Sequence, residues 1–172
     1  MSHRQNVEEN LKRFAEGIGL GELALNEHKA CGLCFDDKLI VNIEYLEEDE
    51  ALVFVSSAHA LEAHLQDAEK LALLDKGMFI NLQHHSMQGA YMALNHDKTE
   101  VLLIRSMSAA LDYGAFESTL EKFVNTLEWV IAELSGSGDS QVSSASPGNS
   151  PQQQTPPPQQ PGAPGGGMGI MV

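Results

Sequence analysis

Every ionisable side chain of this 172-residue chain lies before residue 140. All 24 acidic and all 10 basic residues fall within Met1–Asp139, and the positions beyond are mainly Ser, Gly, Pro and Gln. Such a segment buries too little apolar surface to offset the entropy of ordering it. Residues 1–135 are therefore expected to form one folded domain, and residues 136–172 a disordered tail. A single domain with its own core is commonly about 100–150 residues long, so a second folded unit is not expected. Pro158-Gln-Gln-Pro161 and Pro161-Gly-Ala-Pro164 have PxxP spacing but no flanking basic residue, and read as an unspecific tether. The terminal Met168–Val172 is stickier and could engage a partner.

A net charge of −14 repels phosphate backbones and anionic lipid, which makes nucleic acid and membrane surfaces poor partners. The run Glu47-Glu48-Asp49-Glu50 reads as a solvated hairpin turn. No stretch approaches the roughly 20 apolar residues that span a bilayer, and the first residues lack an apolar signal core. Cys31 and Cys34 are the only cysteines, too few for a disulfide framework. A cytosolic protein is expected.

Within the charged part, apolar residues at Val7, Leu11, Phe14, Ala15 and Ile18 mark an amphipathic helix from about Asn6 to Ile18, frayed by Gly17, Gly19 and Gly21. A short strand at Leu23–Asn26 should follow. Lys29–Phe35, Leu39–Leu46 and Ala51–Ser57 read as a meander, with clear alternation at Leu39, Val41, Ile43 and Tyr45. Between Ala60 and His85 the period turns helical, with Ala68, Leu71, Leu74, Met78 and Leu82 on one stripe and Phe79 beside it. Gly77 inside this pattern predicts a kink or a close helix packing. Strands return at Ala90–Leu94 and Val101–Ser106, and a last helix runs from about Tyr113 to Leu134 with a broad apolar stripe. The order is helix, three or four strands, helix, two strands, helix: an α+β domain with an antiparallel sheet and three helices.

No catalytic constellation emerges. Cys31-Gly-Leu-Cys34 has CxxC spacing, but in an extended strand positions three apart point to opposite faces, so ordinary packing is the preferred reading. His59, His64, His84 and His85 fall in no HExxH pattern, and no metal site is proposed. There is no GxSxG. Gly17-Ile-Gly-Leu-Gly21 follows a helix and precedes a strand, whereas phosphate cradles follow a strand and open a helix.

The segment Leu11–Glu27, the strand containing Cys31-Gly-Leu-Cys-Phe-Asp-Asp37, and the hairpin Gly89-Ala-Tyr-Met-Ala-Leu with Val101-Leu-Leu-Ile-Arg ahead of the long last helix resemble the class I chaperones of bacterial type III secretion, the Tir-chaperone family. The likeness spans about Asn6 to Leu134 and implies a non-enzymatic homodimer without cofactor. It implies that the N-terminal segment of one or more secreted effectors is held in extended, secretion-competent form, and it allows the secretion ATPase as a further partner. Carried onto this chain, the client surface would involve Leu11, Phe14, Ile18, Leu33, Phe35, Ile40 and Val41, and the dimer contact Leu74, Met78, Phe79 and Leu82. A charge at Phe14 should then weaken client capture and leave the dimer folded. Two other functions compete: a partner-switching regulator of secretion-gene expression on the same fold, and a small metal-dependent hydrolase built from distant His and Asp residues.

Overall fold

The computed structural model describes residues 2–136. Along the chain these form α1 (His3–Ile18), β1 (Ala30–Phe35), β2 (Leu39–Leu46), β3 (Ala51–Ala60), α2 (Asp67–Asn81), the single turn α3 (His84–Met87), β4 (Tyr91–Leu94), β5 (Glu100–Ser108) and α4 (Tyr113–Leu134). The strands pair antiparallel in one sheet, ordered β1-β2-β3-β5-β4. The α+β class and element order agree with the reading of the sequence, with α3 as an added turn. The expected tail lies outside the described residues except for Gly136.

Local chemistry explains the element ends. Ser2 and Gln5 form a reciprocal cap, each side chain accepting from the other's amide, which starts α1 three residues before the expected Asn6. Gly19 ends it in the left-handed region at φ 69. The strand expected at Leu23–Asn26 is absent: Leu23 and Leu25 pack against the core from irregular chain. Alternating apolar residues mark a buried side, but a strand also needs a ladder partner, and Asn26 instead folds back onto Ala30 through two hydrogen bonds. The β1–β2 hairpin turns on Asp36 and Asp37, at φ 50 and 56, where short polar side chains tolerate left-handed backbone. The acidic run forms the β2–β3 turn, as expected.

One face of the sheet builds the core. Val41, Ile43 and Tyr45 on β2 and Leu52, Phe54 and Ala58 on β3 are buried there with the apolar stripes of α1 and α4. Four rings lock these layers edge to face: Phe14 on α1 against Phe116 on α4 at 6.1 Å, Phe116 against Phe54 on β3 at 6.0 Å, and Phe54 against Phe123 at 5.6 Å. The amides of Asn6 and Asn10 tie α1 to the β5–α4 loop, both donating to Leu111 O at 2.7 and 2.9 Å. Asp112 caps α4 by accepting from the Ala115 amide at 2.8 Å.

The central helix departs most from expectation. It is shorter, Asp67–Asn81, and unbroken at Gly77, which is buried where a Cβ would meet Met92 Cε at 3.8 Å. Gly77 therefore marks close packing of α2 on β4 and not a kink. Ile80 and Gly77 face the core, whereas Leu71, Met78, Phe79 and Leu82 face away from it.

Because Phe116 touches both α1 and β3 through its ring, Phe116→Ala is expected to lower the unfolding free energy by about 3–5 kcal/mol. Urea denaturation followed by far-ultraviolet circular dichroism checks this.

Candidate partner-binding surfaces

Of the seven residues expected to meet a client, Leu11, Phe14, Leu33 and Val41 are closed off in the core. The reason is that α1 turns Val7, Leu11, Phe14 and Ala15 inward onto the core, leaving only Ile18 of its apolar stripe exposed. Ile18 at 52% exposure and Ile40 at 59% are accessible, and Phe35 is half-buried at the end of β1. These three do not cluster. Ile18 ends α1, Ile40 stands on the sheet face opposite the helices, and Phe35 helps line a cleft against Leu120 and Val124 of α4. Beside Ile40, a shallow groove of about 320 Å³ runs over Asn42, Val55, Ser57 and Leu102.

The two edges of the sheet are treated differently. At β4 the side chain of Asn81 takes both outward backbone groups of Met92, accepting from its N–H at 2.8 Å and donating to its C=O at 3.2 Å. On that short edge only the outward groups of Leu94 are then left without a partner among the described residues. At β1 the Tyr45 amide donates to Lys29 O, so by antiparallel alternation the N–H and C=O of Ala30, Gly32 and Cys34 point away from β2. Asn26 satisfies Ala30, while those of Gly32 and Cys34 have no partner among the described residues. The sequence contained no signal for this asymmetry, because an edge is defined by which strands fail to meet.

The expected dimer residues are brought together. Met78, Phe79 and Leu82 share the outward side of α2 with Leu71, at exposures from 60% for Phe79 to 69% for Leu82. Half-buried Leu74 and Met78 also border an almost wholly apolar groove of about 310 Å³ between α2 and β4, closed by Met92, Leu94 and Val101. Leu71 extends the patch one turn beyond the residues expected from the resemblance.

The two cysteines are free and lie on β1 three positions apart, Cys31 part-buried toward the core and Cys34 exposed. Burial pushes the Cys31 thiol up to about 11, against an ordinary value of 9.0. It is therefore a poor nucleophile at neutral pH. Among the described residues no group of three or more His, Cys, Asp or Glu could hold a metal ion. No helix there is long and apolar enough to cross a membrane. Iodoacetamide at about pH 8 is expected to modify Cys34 first, with Cys31 about a hundredfold slower than a thiol of ordinary acidity; mass spectrometry of peptide fragments reads the order. Phe14→Asp is expected to unfold the domain, since the carboxylate would lie against Phe116, and loss of the dichroism signal would register it.

The geometry has known counterparts. The model of the Tir chaperone protein (CesT) family matches residues 9–130, more than half of the chain. None of the curated proteins matches. Among solved structures, the fold is shared with the ExsC-ExsE complex at a TM-score of 0.64 and 24% identity, covering 75% of this chain and 93% of that one. The HopA1-SchA chaperone-effector complex follows at 0.55 and 17%, covering 76% and 96%. The heterodimeric ExoU-SpcU complex from the type III secretion system of Pseudomonas aeruginosa gives 0.51 and 15%, covering 75% and 98%. The family match spans nearly the whole folded part and the architecture agrees with it, so the chain belongs to the Tir chaperone protein (CesT) family, the non-enzymatic class I chaperones of type III secretion.

Proposed function

We propose that the protein binds the N-terminal segment of one or more secreted effectors in extended form in the bacterial cytosol, as a homodimer, and keeps that segment soluble and competent for export. The carrying observation is the open edge of β1. Gly32 and Cys34 offer unpaired backbone donors and acceptors, and an extended polypeptide can take them up as an added strand. Such binding needs no bond to be made or broken. Free energy gained on the unfolded segment opposes its folding and aggregation by mass action. Similar folds occur in solved complexes described as chaperone with effector, which supports the same use here.

The homodimer rests on α2. Leu71, Met78, Phe79 and Leu82 form an exposed apolar patch beside the α2–β4 groove, larger than scattered surface hydrophobics explain. Pairing two such helices would bury the patch and leave both β1 edges free for the client. The domain's acidity keeps the loaded dimer dispersed.

Two measurements test this. Light scattering of the full chain is expected to give the mass of two copies, and Phe79→Asp with Leu82→Asp the mass of one; a single-copy mass for the unaltered chain overturns the dimer. Co-purification from the native cytosol is expected to retain an exported polypeptide through its N-terminal segment. Cys34→Pro, which removes one outward amide without touching the β1–β2 ladder, is expected to weaken that capture by up to about tenfold. Retention of a regulatory protein in place of an exported one would replace the reading.

A further inference from the structure

A cleft system runs along α4, on the side of the β1–β2 hairpin. At one end half-buried Phe35 and Val124 form an accessible apolar floor over buried Phe14 and Leu120, with Glu117 and Glu121 at the rim. Further along, Leu39 and Ile131 are bordered by Asp36, Lys38 and Glu128. Glu117, Glu121 and Glu128 fall within about 40° of one another around α4 and span about 16 Å, the length of about five extended residues. Four carboxylates therefore border these clefts against the single ammonium of Lys38. Asp36, Glu121 and Glu128 have no ion-pair partner among the described residues, and Glu117 accepts a hydrogen bond from the Tyr113 hydroxyl at 2.9 Å.

Elsewhere on this anionic surface carboxylates are solvated or paired, as Glu8 is with Arg4 and Glu47 with Lys29. Here they stand beside the half-buried Phe35, Leu39, Val124 and Ile131, so a chain that covers this floor also brings its neighbouring residues against the carboxylates. An acidic segment is repelled, and a neutral one strips water from the carboxylates without replacing it. Only a segment bearing cations compensates both effects. On the effector-binding reading above, we infer that this flank of α4 selects the client: the segment it takes is an extended stretch in which lysine or arginine stands beside apolar residues. The apolar residues rest on Phe35, Val124 and Ile131, and the cations meet Glu117, Glu121 and Glu128. Exposed ion pairs are individually weak and screened by salt, so the rim acts on choice of segment and rate of encounter more than on total affinity.

The test titrates the full-length protein with fluorescent peptides of about 12 residues, sharing one pattern of Leu and Val anchors, with Lys, Gln or Glu at two intervening positions. The Lys peptide is expected to bind about tenfold more tightly than the Glu peptide at low salt, with the gap closing as salt rises from about 50 to about 500 mM. In the double variant Glu117→Gln and Glu121→Gln, both at exposed positions, the Lys, Gln and Glu peptides are expected to bind within about twofold of one another, whereas an undiminished preference for Lys overturns the assignment to these two carboxylates. Equal binding of all three peptides to the unaltered protein overturns the selection and leaves the chaperone reading standing. Failure of every peptide while an effector still co-purifies removes this cleft as a client site; failure of both overturns the function as well.

Discussion

Four phenylalanine rings decide what this molecule can offer a partner. Phe14, Phe116, Phe54 and Phe123 interlock edge to face and clamp α1 and α4 onto β3. A clamp of this kind is demanding. It draws Val7, Leu11, Phe14 and Ala15 of α1 inward, together with Leu33 and Val41 beneath them, and closes those residues off in the core. Recognition is pushed outward to places the core does not need: a strand edge, the far side of α2 and the flank of α4.

These places differ in chemistry because different side chains guard them. Asn81 takes up the outward groups of Met92 with a pair of hydrogen bonds, leaving only Leu94 open on the short β4 edge, and α2 beside it presents the apolar patch of Leu71, Met78, Phe79 and Leu82. Such a surface suits a permanent contact between like copies. The β1 edge has Asn26 at one end and, among the described residues, no partner for Gly32 and Cys34, which suits a polypeptide that must bind and later leave. Backbone pairing is indifferent to side chains, so any preference among clients has to come from neighbouring groups such as the α4 carboxylates. Cys34 sits at the same edge, and Cys31 behind it is held protonated by burial, so the CxxC spacing contributes packing and no redox pair.

Membership in a family of secretion chaperones accounts for the lack of catalytic geometry. The class works through surfaces, and the large negative charge fits that work by repelling nucleic acid while leaving basic segments free to approach. A charge excess distributed over the surface costs little stability at ordinary salt, where interactions beyond about 10 Å are screened.

The sequence by itself determined the class of the fold. Period-two alternation in β2, the change to a helical period after Ala60, the turns at Asp36-Asp37 and at Asn95–Lys98, and the long stripe of α4 are local signals, and each appears as an element of the structure. Likewise Leu71, Leu74, Met78 and Leu82 were legible as one side of a helix. What covers that side was not, since periodicity says which residues share a face and is silent on whether the face meets the core or the solvent. Only the tertiary structure turned this stripe of α2 outward and that of α1 inward, left Leu23–Asn26 without a ladder partner, and set Asn81 over Met92 at one sheet edge while leaving Gly32 and Cys34 open at the other. Those outcomes depend on contacts between residues far apart in the chain, such as Asn81 with Met92 and Phe14 with Phe116, which no local pattern encodes.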